Sequence, residues 1–251
     1  MVEAVLFDLD ETLLDRASSV KAFVTQQFSG EFGTFENAEA LANRFTVLDD
    51  RNNGHKASVY RQIFAEMGLD CPDIWCGFLQ DFESNSWRYA RSHDAMRSTL
   101  WSLGNAGMRL GLITNGETHL QLRSILALDL DLLVDTYLIS ESECLRKPDA
   151  EIFLRAAERL HVAPRNCAFV GDTPQTDMIG ARQVGMRTIW FPNGMNWPED
   201  YDWRPDAEIA HLSELPTVLR GLHTRSFAAP HPAPAVRPPE SRQTPKDEAS
   251  L

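Results

Sequence analysis

The chain has 251 residues, 43% hydrophobic and 24% charged, with a formal net charge of −12. That length can bury a full core as one domain plus an insertion, and the balance is that of an ordinary soluble globular protein. The acidic excess argues against nucleic-acid or anionic-membrane partners, which need a basic face, but leaves a small phosphorylated ligand open because a metal ion can invert the local charge. No apolar run approaches the roughly 20 residues of a membrane span. The N-terminus lacks a basic segment followed by an apolar one. Cys71, Cys76, Cys144 and Cys167 show no C-x-x-C spacing, so reduced thiols and a cytoplasmic location are expected. Nothing in the sequence sets an oligomeric state.

In chain order, the first element is an apolar run up to Phe7, a short buried parallel strand. It empties into Asp8, Leu9 and Asp10. Alternation puts both carboxylates on one side of the backbone, past the C-terminal end of the strand. Open α/β sheets bind their ligands there. Two carboxylates so close repel, and a divalent cation or a lysine is the simplest compensation.

From Arg16 to Tyr89 no strand is predicted. Helices are expected over Ser18–Phe28, Asn37–Leu48, Lys56–Met67 and Pro72–Tyr89, with Val59, Ile63 and Met67 at the spacing of one helix face and Gly68 as its stop. A helical insertion rooted behind the acidic pair suits a lid that excludes water. The polar segment Arg51 to Lys56 joins two of its helices. It reads equally well as a solvated connection or as a basic surface in which Arg51, His55 and Lys56 touch a substrate.

Helix and strand then alternate. Helices are expected at Met96–Asn105, His119–Leu128, Asp149–Leu160, Thr173–Val184 and Leu212–Leu222, and strands at Met108–Ile113, Val134–Ser140, Cys167–Val170 and Arg187–Phe191, with a short edge strand at Ala207–Ile209. Such spacing means right-handed βαβ crossovers and a parallel sheet covered on both faces. Six prolines between Ala228 and Pro245 predict a disordered tail.

Three further strand ends supply what the acidic pair lacks. Thr114 and Asn115 stand between a strand and a helix, where a hydroxyl, an amide and helix N-terminal N–H groups suit a phosphate. Lys147 precedes Pro148 and Asp149, which can start a helix. Asp172 and Asp177 follow the strand at Cys167, and their oxygens suit Mg²⁺.

The set Asp8-Leu9-Asp10-Glu11-Thr12, Thr114-Asn115-Gly116, Lys147-Pro148-Asp149 and Gly171-Asp172 through Asp177 resembles the haloacid dehalogenase superfamily of hydrolases. The resemblance spans about Glu3 to Leu222. It implies an α/β fold, a Rossmann-like parallel sheet core (residues 1–15 and 91–223), with an inserted all-helical cap (16–90) and the tail beyond (224–251). Only about thirty residues separate Asn115 from Lys147, too few for the α/β cap of other relatives. The resemblance further implies that Asp8 is the nucleophile and Asp10 the general acid and base, and that Thr114, the Asn115 N–H and Lys147 bind the phosphoryl oxygens. Mg²⁺ would be held by the Asp8 carboxylate, the Asp10 carbonyl and Asp172, with Asp177 holding a bound water or Lys147. Dehalogenases of the superfamily lack the second aspartate, so Asp10 favours phosphoryl transfer and a Mg²⁺-dependent phosphatase for a small phosphorylated metabolite. A sugar-phosphate mutase, a silent binding protein on the same fold and a phospho-accepting signalling domain are the alternatives, the last disfavoured by the insertion and the second aspartate. Glu11 stands where many relatives have glycine; its side chain is expected to point away from Asp8 and Asp10.

Overall fold

The computed structural model describes residues 1–30, 35–50, 54–69 and 71–222. Arg51 and the 224–251 tail lie outside them. Six parallel strands form one sheet in the order β3-β2-β1-β4-β5-β6. They are β1 (Ala4–Phe7), β2 (Arg109–Thr114), β3 (Thr136–Ile139), β4 (Cys167–Gly171), β5 (Arg187–Trp190) and β6 (Ala207–Glu208). β1 lies between β2 and β4, with Phe7 level with Leu112 on one side and Val170 on the other. The strand order reverses direction at this centre, which places the β1 end at the switch point where ligands of open sheets bind.

Alternation sorts the side chains between two cores. Val5, Phe7, Leu110, Leu112, Ala168 and Val170 pack on one face with helices α5 (Met96–Asn105) and α10 (Leu215–Leu222). Ala4, Leu6, Ile113, Cys167 and Phe169 pack on the other with α8 (Ala150–Arg159). Covered on both faces, these strands are apolar without a polar side. Burial pushes the Cys167 thiol up to about 12, so it packs as a small apolar group.

The insertion folds as α1 (Arg16–Ser29), α2 (Ala38–Asp49), α3 (Lys56–Glu66) and α4 (Pro72–Asn85), followed by a 3₁₀ turn over Ser86–Tyr89. Asp15 caps α1 by accepting from Ser18 N at 3.0 Å, so the helix starts earlier than Ser18. Pro72 opens α4, where its missing N–H costs nothing. These helices share a third core, in which Phe28, Phe45, Tyr60, Phe64 and Phe78 are all fully or almost fully buried. None of its buried members comes from the sheet.

Between the strands lie α6 (Thr118–Ala127), α7 (Ser140–Glu143) and α9 (Ile179–Gln183). The short α7 replaces the end of the strand expected over Val134–Ser140. The single helix expected over Thr173–Val184 is divided: Pro174–Met178 is a π turn, and α9 follows. π turns concentrate at functional sites, and this one carries Asp177. No helix among the described residues is long and apolar enough to cross a membrane.

Candidate active site

Asp8 follows β1 directly, and its N–H donates to Val170 O of β4 at 2.9 Å, so its side chain emerges at the sheet end. Lys147 Nζ reaches it from the loop before α8, donating to Asp8 Oδ1 at 2.5 Å and to Asp177 Oδ1 at 2.7 Å. Lys147, Asp8 and Asp177 are all buried, and Asp172 beside them is buried too. Asp177 also accepts from Thr173 N at 3.0 Å through Oδ2. The π turn swings this carboxylate beneath the strand end, and Gly171 leaves room for it. A Cβ on residue 171 would lie 2.4 Å from Asp177 Oδ2.

Two buried carboxylates therefore share one ammonium, with a third, Asp172, close to both acids. Burial, chiefly, and the charges of Asp177 and Asp172 push the Asp8 carboxyl well above the usual carboxylate range, against the pull of Lys147. Burial alone would lower Lys147, but Asp177 and Asp8 overcome it and keep the ammonium charged far above neutral pH. Further positive charge at the cluster favours the ionised form of Asp8. Ligand oxygens of Asp8, Asp172 and Asp177 lie within 4.8 Å of one another. An all-oxygen set with excess negative charge fits Mg²⁺, a hard cation that takes a few carboxylates and keeps several waters. The Asp10 side chain stands apart from this cluster, at the cleft, where it accepts from Gln121 Nε2 at 3.0 Å.

Thr114 ends β2, and its buried hydroxyl has no hydrogen-bond partner among the described residues. A buried hydroxyl is costly to leave unpaired, and Thr114 Oγ1 still has that bond to make. Asn115 is used differently from the amide expected at a phosphate. Its Oδ1 accepts from Lys147 N at 2.9 Å and its Nδ2 donates to Lys147 O at 3.0 Å. This reciprocal pair fixes the backbone that carries the lysine. Two N–H groups beside Asn115 are already engaged: Gly116 N donates to Ser140 Oγ at 3.0 Å and Thr118 N to Glu141 Oε2 at 2.7 Å. The short α7, which the sequence pattern did not reveal, intercepts them.

Above the sheet end lies a cleft of about 470 Å³ between the lid and the core. Its walls mix apolar residues such as Leu79, Phe82, Trp87 and Leu120 with Arg16, His55, Lys56 and Arg123. Lys56 and Arg16 both donate to the buried Asp49, Arg16 Nη1 at 2.6 Å. The sequence pattern singled out Lys56 but neither Arg16 nor Asp49. His55 is exposed at the rim.

Glu11, in the glycine position of many relatives, has φ +61°. Its carboxylate is buried and accepts from Ala17 N at 2.8 Å and from Asn193 Nδ2 at 2.6 Å. The side chain thus ties the start of α1 to the loop after β5, and these bonds offset the cost of a left-handed backbone at a non-glycine residue.

A family model described as haloacid dehalogenase-like hydrolase matches residues 5–191. The chain belongs to this family. Among curated relatives, it is 27% identical to a glyceraldehyde 3-phosphate phosphatase of Pyrococcus furiosus over 88% of this chain and 93% of that protein. It is 26% identical to an N-acylneuraminate-9-phosphatase of Rattus norvegicus over 88% of this chain and 95% of that protein. Among solved structures, a 2-haloacid dehalogenase from Pseudomonas syringae pv. Tomato superposes with a TM-score of 0.58 at 29% identity, covering 88% of this chain and all of that one. Within the haloacid dehalogenase-like family, then, this chain is similar both to phosphatases and to a dehalogenase.

Proposed function

We propose that this family member is a Mg²⁺-dependent phosphatase that hydrolyses a small phosphomonoester through an aspartyl-phosphate on Asp8. The observation that carries the reading is the gathering, at the ends of β1, β2 and β4, of a buried Asp8 bonded to Lys147, a carboxylate pair beside it and the unpartnered Thr114 hydroxyl. The phosphatase names of the curated relatives support it. Asp10 separates it from the dehalogenase reading: a proton donor two residues past the nucleophile serves an alkoxide leaving group, which a halide does not need.

In the first step an Asp8 oxygen attacks phosphorus and the P–O bond to the leaving group breaks, while Asp10 gives its proton to the departing oxygen. In the second, a water attacks the same phosphorus, Asp10 takes its proton, and the bond to Asp8 breaks to release inorganic phosphate. Lys147 and the Thr114 hydroxyl donate to the phosphoryl oxygens, where stabilisation of charge acts most. Mg²⁺ would be held by Asp8, the Asp10 carbonyl and Asp172, and when bound it would supply positive charge beside the Asp8 carboxylate. Asp177 is committed to Lys147 and to Thr173 N, so it positions the lysine. The lid excludes water and, through Arg16, Lys56 and His55, contacts the rest of the substrate.

The test is phosphate release from a phosphomonoester panel with and without Mg²⁺. The wild type turns over only with the metal, and Asp8→Asn releases none. An Asp8→Asn variant that hydrolyses p-nitrophenyl phosphate at the wild-type rate overturns the assignment.

A further inference from the structure

We infer that Gln121 is a positioning residue for Asp10, holding the carboxyl in the orientation from which it exchanges a proton with the leaving-group oxygen. The inference rests on the phosphatase reading and extends it to a residue outside every motif of the sequence.

Gln121 lies in the first turns of α6, with its side chain buried behind the cleft. Its Nε2 donates to Asp10 Oδ2 at 3.0 Å and to Asn115 O at 3.1 Å. Asn115 O is a carbonyl oxygen with no proton to give, so the NH₂ end of the amide faces it, and the second hydrogen of the same NH₂ serves Asp10 Oδ2. The amide is thereby fixed in its plane and its rotamer. With Oδ2 held by the amide, Oδ1 is the oxygen left for the leaving group. The second bond ends on Asn115, whose own side chain holds the Lys147 backbone. One amide thus sets the general acid and the phosphate-binding lysine in register.

Space for this contact comes from Gly116. A Cβ on that residue would lie 2.5 Å from Gln121 Nε2 and 2.8 Å from its Cγ. Any larger residue at 116 would push Gln121 off Asp10. Gly116 in the Thr114-Asn115-Gly116 segment is therefore a space requirement of the acid, in addition to being part of a turn.

A general acid matters in proportion to how poor the leaving group is, whereas a structural or phosphate-binding defect strikes all esters alike. The experiment compares wild type, Gln121→Met, Gln121→Glu and Asp10→Asn on glycerol phosphate and on 2,4-dinitrophenyl phosphate, reading the pre-steady-state burst of dinitrophenol for the latter. Gln121→Met keeps the side-chain length and loses the donor. We expect turnover of glycerol phosphate to fall about 10- to 100-fold, the scale of a misplaced catalytic group, and the dinitrophenol burst rate to change less than about 3-fold. Gln121→Glu should follow the same pattern, which protects the result against a folding defect in one variant. In an Asp10→Asn background, Gln121→Met should add no further loss on glycerol phosphate, because the two act as a unit. Equal losses on both esters, or full additivity with Asp10→Asn, overturn the proposal. Asp10→Asn itself separates the two levels: if it shows no dependence on the leaving group, the acid assignment fails; if it does while Gln121→Met matches wild type, only the role of Gln121 fails.

Discussion

Around Asp8, the polar contacts run between strand ends and the loops that follow them; around Asp49, they run from one lid helix to the next. The first cluster holds three carboxylates and one lysine buried at the sheet edge. The second holds one carboxylate between two cations, Arg16 at the start of α1 and Lys56 at the start of α3. Electrostatically they are opposites. The sheet cluster is over-supplied with negative charge and gains from a cation, while the lid cluster is over-supplied with positive charge and faces the cleft. The supporting cores differ as well: mostly aliphatic alternation under the sheet, and a set of tilted and edge-on phenylalanines in the lid, such as Phe64 and Phe78 with centroids 4.9 Å apart. In the proposed function, chemistry is anchored to the sheet layer and contact with the variable part of a substrate to a layer with its own separate core.

The largest effect should come from the sheet cluster. Asp8→Asn is expected to abolish turnover with little change in melting temperature, since the isosteric amide keeps its place beside Lys147; steady-state kinetics and a thermal melt check both. Lys147→Met removes the only cation paired with Asp8 and Asp177 among the described residues and leaves buried acids facing one another. Breaking a buried ion pair costs about 3–5 kcal/mol, so this variant should lose both activity and stability, and added Mg²⁺ should recover part of the stability in a melt.

In the lid, Phe78→Ala opens a cavity among Phe28, Tyr60 and Phe64, at a cost of about 3–5 kcal/mol. Hydrogen exchange should accelerate in α1 to α4 and stay unchanged in β1 and β4; equal acceleration in both would mean that the two cores unfold as one. Tyr60→Phe is milder. Tyr60 Oη donates to Gln27 Oε1 at 2.7 Å, and Gln27 in turn donates to Phe78 O. Losing that donor should cost about 1–3 kcal/mol in a denaturant titration.

The smallest effect concerns pH. Burial opposes ionisation of Asp49, but Arg16 and Lys56 overcome it and hold its carboxyl below its ordinary value of 3.8. A carboxyl depressed in the folded state stabilises fully above its unfolded value and loses that contribution as pH falls through the folded one. The difference in melting temperature between wild type and Asp49→Asn should therefore be constant near neutral pH and shrink below about pH 4.

Glu11 shows how a local departure can carry long-range structure. The sequence places an acid where relatives carry glycine, and in the fold that acid bridges α1 and Asn193, 182 positions away. The same holds for Asn115, whose amide looks like a phosphate donor beside Thr114 but is spent on Lys147, 32 positions away. Both residues stand in recognisable segments, and both act on partners that no spacing rule connects to them.

The sequence by itself determined the alternation of strand and helix, the helical insertion from about Arg16 to Tyr89, and the strand ends that carry Asp8, Thr114 and Asp172. These depend on side-chain period and on residues within a turn or two of one another, which a linear pattern records. Tertiary structure alone decided that Asp49 is shared by Arg16 and Lys56, that α7 takes the N–H groups of Gly116 and Thr118, and that Gln121 meets Asp10 across 111 positions. Those contacts are side-chain hydrogen bonds between distant elements. Their geometry is set by how the helices pack over the sheet, and a polar residue on a helix carries no mark of which partner that packing will bring to it.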